Sequence, residues 1–233
     1  MKDKQTFRTY LFLSNEKIII CAINLEDLKI IYEKQTITNN KASIPEPKEI
    51  KSFLDDNIYK IEKILNNFIK NIYVILDNEN FVSIYLSIKN STTNEFISTE
   101  DLSHSLNEAK NQCKKTLENK KIIHMLIEKY LIDETEYLSL PKNVKCKNFC
   151  LDLKFVCLPN NFAQDLEEFL KKYQISIQRI LNATYIKDLS KKDENFFLKA
   201  HQIVEGCNAN EIIISHKKPK IAGIFEKFFN FFS

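Results

Sequence analysis

The chain has 233 residues, of which 44% are hydrophobic and 28% charged. That composition is globular and long enough to bury a core, and it excludes a disordered chain. The formal net charge is +3, and the last seventeen residues, with four lysines and one glutamate, account for all of it. Arg8 and Arg179 are the only arginines, so general nucleic-acid binding is not expected, because reading base edges leans on Arg. No apolar run approaches the roughly 20 residues needed to span a bilayer. The opening MKDKQTFRTY lacks the apolar stretch of a secretory signal, and a cytoplasmic protein is expected. In that compartment six cysteines read as reduced thiols rather than as a disulfide framework. Cys146, Cys150 and Cys157 lack the CxxC spacing of a zinc site, and no metal is expected.

In chain order, Arg8 to Leu13, Lys17 to Ile23 and Leu28 to Tyr32 are apolar and β-branched segments with short polar breaks, and they read as strands. Pro47 suits the first turn of a helix. From it Ile50, Phe53, Leu54, Ile58, Ile61, Leu65 and Phe68 trace one helical face. Asn71 to Leu76 and Phe81 to Ile88 read as strands around the turn Asp77–Asn80. Ser98 then caps a helix, with Asp101 completing a capping box and Leu102, Leu106, Ala109, Cys113 and Leu117 on one face. Ile122 to Ile127 is short and β-branched and is expected as a buried strand. Pro141 to Phe149 reads as a loop, and Leu151, Leu153, Phe155 and Cys157 as an alternating strand. A helix capped at Asn160 or Asn161 follows, with Phe162, Leu166, Phe169, Leu170 and Tyr173 on its face. Ile175, Ile177 and Ile180 indicate a strand, Glu194 to Val204 a helix closed by Gly206, and Ile212 to Ser215 a last strand.

A set of these residues resembles a known family. Ile97-Ser98, Glu100-Asp101-Leu102, an apolar pair before His124, and Tyr130-x-Ile132-Asp133 are similar, in order and spacing, to the inserted strand–helix–strand–strand subdomain of the bacterial cell-division protein FtsA. The match covers roughly Asn71 to Tyr185, with a fainter echo over Phe7 to Phe68. In fold terms the resemblance implies an α+β protein with mixed small sheets and packed helices. Its expected parts are a partial actin-like segment over 1–70, the FtsA-type subdomain over 71–187, a short helix and strand linker over 188–216, and a terminal helix over 217–233. It departs from the family where nucleotide would bind. Actin-like ATPases place a glycine in the first strand-to-strand turn, and this chain has Ser14-Asn15 there. Its two glycines, Gly206 and Gly223, build no phosphate cradle, so no cofactor is expected.

The tail, KKPKIAGIFEKFFNFFS, is the most specific functional signal. At helical spacing Ile221, Ile224, Phe225, Phe228, Phe229, Phe231 and Phe232 share one arc of roughly 160°, with Glu226, Lys227 and Asn230 opposite. Lys217, Lys218 and Lys220 precede it. This is the pattern of an in-plane membrane helix, and FtsA also ends in an aromatic amphipathic helix flanked by basic residues. A helix docked on the protein's own core would bury a similar face, but it has no need of clustered lysines.

The remaining chemistry is thin. His104 lies on a helix's polar side, and His124 inside an apolar run is expected to be a satisfied structural histidine. Neither has the glycine-built oxyanion site that a Cys/His enzyme needs. The expected function is therefore non-enzymatic. The protein would anchor or scaffold divisome components at the inner face of the membrane, at mid-cell, with Lys217, Lys218 and Lys220 attracting anionic lipid and Ile221, Ile224, Phe225, Phe228, Phe229 and Phe232 inserting. Later division proteins and self-association are the partners that the resemblance implies. FtsZ is the doubtful one, because the surface that grips it in the family lies in a second large domain with no counterpart here. A peripheral scaffold of pilus or envelope assembly, after the related actin-like pilus protein, is the alternative. A soluble Cys/His enzyme is the third.

Overall fold

A computed structural model describes residues 6–38, 45–92, 96–141 and 144–213, with only the backbone of Thr99. The chain begins with the strands β1 (Phe7–Ser14), β2 (Lys17–Asn24) and β3 (Ile30–Ile37), the helix α1 (Pro47–Leu65) and the strand β4 (Asn71–Asp77). There follow β5 (Val82–Ser91), α2 (Thr99–Thr116), β6 (Lys120–Ile132), β7 (Thr135–Tyr137) and β8 (Asn148–Pro159). The described chain closes with α3 (Asn160–Lys171), β9 (Ser176–Asn182), α4 (Ala183–Leu189) and α5 (Phe196–Val204). The class is α+β, as expected.

Two sheets form. The first has the order β3-β2-β1-β4-β9, antiparallel among β1 to β3 and parallel across β1, β4 and β9. The second, β5-β8-β6-β7, is antiparallel throughout. The division of the chain therefore differs from boundaries at 70 and 187. β4 and β9 both belong to the first sheet, and only β5 to β8 with α2 form the inserted unit between them.

The continuous apolar runs of β1 and β2 have a physical reason, since the first sheet is covered on both faces. Leu11, Leu13, Ile18, Ile20, Val74 and Leu76 point into a core shared with α1 and α3. Tyr10, Phe12, Ile19, Cys21 and Ile75 point into the opposite core, closed by α4 and α5. The second sheet has one core face, on which Leu151, Leu153 and Phe155 meet Ala109 and Cys113 of α2.

Local chemistry sets the ends. Ser98 Oγ accepts from the Asp101 amide at 3.0 Å while Asp101 accepts from the Ser98 amide at 2.9 Å. This is the expected capping box, and Ala109 and Cys113, buried, with Leu102, Leu106 and Leu117, partly buried, supply the stripe that faces the core. Pro47 opens α1, and Gly206, at φ +84°, follows α5 where a side chain would be strained.

Several boundaries moved. β3 starts at Ile30 rather than Leu28, because Asn24 and Asp27 accept from the amides of Glu26 and Lys29 and hold a turn there. It then runs through exposed Glu33, Lys34 and Gln35, since an edge strand need not be apolar along its length. α1 stops at Leu65, with Asn66 in the left-handed region, instead of reaching Phe68. β6 extends far beyond Ile122–Ile127, with two register shifts against β8. β8 begins within the expected loop, and α3 is preceded by Pro159 with no side-chain cap from Asn160 or Asn161. α5 is capped by Asn195, whose Oδ1 accepts from Phe197 and Leu198. The segment 188–216 is not a linker in its described part. α5 buries Phe197, Ala200 and Ile203, and Glu211 bridges to Leu126 of β6. Ile214 and Ser215, in the expected last strand, lie outside the described residues.

Candidate functional site

The membrane-contact residues read from the sequence, Lys217, Lys218, Lys220, Ile221, Ile224, Phe225, Phe228, Phe229 and Phe232, lie outside the described residues. Within them, three places concentrate polar chemistry.

The first is a cleft of about 910 Å3 at one end of the first sheet, where the β1–β2 turn faces Asp77 and the start of α5. Its turn is Ser14-Asn15-Glu16, the position where the resemblance expects a phosphate-binding glycine. Ser14 is buried, and its hydroxyl oxygen accepts from the amides of Glu16 at 3.3 Å and Lys17 at 3.1 Å. It also donates to the Lys17 carbonyl. Those two amides are satisfied within the turn and do not point at a ligand. Charge works in the same direction. The lining includes Glu16, Glu33, Asp77 and Glu79 against Lys17 and Lys187, and Lys187 is paired with Asp77 at 2.8 Å. With Asp77 and Lys187 paired, three carboxylates face one further lysine, and that excess of negative charge raises the cost of holding a polyphosphate.

The second is buried at the seam between the sheets. His124 comes from β6, Arg179 from β9, Asn182 from the end of β9, Tyr185 from α4 and Glu211 from the segment after α5. The Asn182 amide donates to His124 Nε2 at 3.0 Å. An amide only donates, so Nε2 is the unprotonated nitrogen, and Nδ1–H donates to Glu211 Oε1 at 2.7 Å. Arg179 also donates to Oε1, and the Tyr185 hydroxyl donates to Oε2 at 3.1 Å while accepting from Asn208. The His124 side chain is 0% exposed and that of Glu211 1%. Burial pushes the His124 imidazole down, against the opposing pull of Glu211. Burial pushes Glu211 up, but His124, Arg179 and Tyr185 outweigh it and hold the carboxyl below its usual range. Every heteroatom of the imidazole and the carboxylate is spent on protein partners, with none free to move a substrate proton. The cluster acts as a rivet between the two sheets.

The third joins β1 to α5. Arg8 forms an ion pair with Glu205, approaches His201 Nδ1 at 3.3 Å, and lies 5.6 Å over the ring of Tyr73. The Tyr10 hydroxyl reaches the same His201 nitrogen at 3.2 Å, and Tyr10 stacks on Tyr73. Burial, followed by the Arg8 charge, pushes His201 down.

His104 is exposed on α2. Cys157 is buried beside Cys113, and burial pushes its thiol up to about 12. A thiol held protonated is a poor nucleophile. Among the described residues no group of three His, Cys, Asp or Glu side chains could hold a metal ion. No helix among them is long and apolar enough to cross a membrane.

Sequence reasoning expected a satisfied His124 but named none of its partners. One signal was available. In a chain with 34 Lys and Arg residues and only two arginines, both arginines sit in these clusters, each paired with a glutamate, a pairing for which a planar guanidinium is better suited than an ammonium.

No known family profile and no curated protein matches the chain. Solved structures similar to it at low identity include the following three. One is the cytoplasmic domain of EpsL, an inner-membrane component of the type II secretion system of Vibrio cholerae (TM-score 0.38, 10% identity, 79% of this chain and 60% of that one). Another is the PilM–PilN type IV pilus biogenesis complex (TM-score 0.48, 8% identity, 77% and 48%). A third is a Bacteroides thetaiotaomicron protein with an actin-like ATPase fold and unknown function (TM-score 0.35, 15% identity, 81% and 58%). The chain thus spans about half to three fifths of the solved chains it matches. At TM-scores below 0.5 these likenesses carry no argument about its activity or partners.

Proposed function

We propose that the chain is a non-enzymatic assembly protein, FtsA-like in role, which a C-terminal amphipathic helix holds on the inner face of the membrane. The observation that carries this reading is the tail itself. Five phenylalanines within Phe225–Phe232 fall on one helical arc, directly after Lys217, Lys218 and Lys220. Each lysine beside anionic lipid contributes on the order of 1 kcal/mol. The phenylalanines supply the apolar area that keeps the helix in the interface. The body supports the reading by its order of elements. β5, α2, β6 and β8 form one inserted unit, and α3 and β9 return the chain to the first sheet, the sequence of elements the FtsA resemblance calls for. The spent donors at the Ser14 turn and around His124 fit a scaffold better than a catalyst.

The experiment is imaging of an N-terminal fluorescent fusion in cells, intact and cut before Lys217, with vesicle flotation of both forms alongside. A mid-cell band that becomes diffuse on truncation, with flotation only on anionic vesicles and only when the tail is present, is the expected result. A uniform peripheral signal would retain the anchor and move the role to pilus or envelope assembly. Diffuse signal and no flotation from the intact chain would overturn the anchor.

A further inference from the structure

The four edges of the two sheets are not equally protected. β7 is three residues long, β3 carries Glu33 and Lys34 beside a bulge at Ala22/Ile23, and β9 carries Arg179 beside a bulge at Ile72/Tyr73. Such features blunt an edge against pairing with another chain. β5 is neither short nor bulged, and its protection is a single charge. It runs ten residues, VSIYLSIKNS, pairs with β8 without a register shift from Val82 to Ser91, has no proline and has one charge, Lys89 near its end. Its apolar row is unfinished. Ile88 is buried, while Ile84 and Leu86 are only partly buried at the rim of the core under α2. On the other face Tyr85 is 63% exposed.

We propose that β5 is a self-pairing edge, at which two copies of this chain join antiparallel about a two-fold axis through Leu86 to make one continuous eight-stranded sheet. The strand is self-complementary in that register. Leu86 meets Leu86 of the second copy, Ile84 meets its Ile88, Tyr85 meets its Ser87, and Ser83 meets its Lys89. Every residue keeps its face, the apolar rows join across the seam, and no like charges stand opposite each other. A foreign strand selected by charge would find little to read on β5, and for that reason a second copy is the occupant. The interface is small, so the dimer is weak alone. This inference does not depend on the tail, since a chain that failed to bind vesicles would still pair through β5.

Two double variants test the register. Ser87 donates to Asp152 at 2.6 Å, and the Lys154 ammonium lies 5.7 Å from the Tyr85 ring. Tyr85→Glu with Ser87→Lys therefore places each new charge beside an opposite one in its own chain, and opposite its complement across the axis. Tyr85→Lys with Ser87→Lys places lysines opposite each other twice. In sedimentation velocity of the full-length chain, the wild type is expected to dimerise with rising concentration. The Glu/Lys variant should dimerise at least as well, and the Lys/Lys variant should dissociate about tenfold more readily. Because all three keep the same tail, tail-driven association does not separate them. As a second readout, Leu86→Cys should cross-link copy to copy through position 86 under mild oxidation. A monomeric wild type would overturn the proposal. So would equal dimerisation of the two double variants, a cross-link that maps elsewhere, or a different extended chain found on β5.

Discussion

Two clusters in this molecule use the same three residue types in different settings. At the seam between the sheets, Arg179, His124 and Glu211 meet with the carboxylate 1% exposed. Between β1 and α5, Arg8, His201 and Glu205 meet with the carboxylate 55% exposed. Water can replace the protein partners of Glu205 but not those of Glu211. The first cluster therefore holds two sheets in one arrangement, and the second only tethers a helix that its apolar face already seats. The contrast teaches that burial, not composition, decides what an Arg–His–Glu set contributes.

The sharpest way to break this comparison is Glu211→Gln. It leaves Arg179 facing a neutral amide and breaks the fit to His124 and Tyr185. Removing one partner of a buried pair typically costs 3–5 kcal/mol, so urea unfolding should show a loss of about that size. A loss near that of Glu205→Gln would sink the distinction between the clusters.

Acid should separate them next. His124 is held neutral in the folded protein, below its ordinary value of 6.5, chiefly by burial. In the unfolded chain it takes a proton near that pH, so the unfolded state binds more protons in the window beneath. Stability from this group is therefore present above pH 6.5 and falls as the pH drops from there toward the folded value. His201 is shifted the same way, chiefly by burial, and its slope should be the lesser one because it is less fully buried, 6% exposed against 1% for His124. Midpoints of unfolding between neutral pH and pH 5 should lose most of their slope in His124→Leu and little in His201→Gln.

The smallest effect is expected from Glu205→Gln. Exposed ion pairs contribute about 0–1 kcal/mol, and added salt should erase even that difference between variant and wild type. A loss above about 2 kcal/mol would mean that the Arg8 cluster is as structural as its buried counterpart.

Much of the local structure was legible in the residues. Ser98 and Asp101 announced the start of α2, Pro47 that of α1 and Gly206 the end of α5, because caps and termini are set by side chains within one turn. The apolar runs of β1, β2 and β4 announced strands. Less of the candidate sites was legible. His124 stood out as a histidine in an apolar run, but Glu211 and Arg179 come from distant parts of the chain and no periodicity joins them. The tail was read from sequence alone.

What the sequence determined by itself is the set of faces: which residues of each helix and strand are apolar, where each element is capped, and that the last seventeen residues hold a basic, aromatic, amphipathic pattern. Tertiary structure alone decided the neighbours. Alternation along a strand encodes which side is buried but not which strand lies beside it. Nothing local could therefore report that β9 returns across the whole inserted sheet to lie parallel to β4, or that Glu211 fills the seam this return creates.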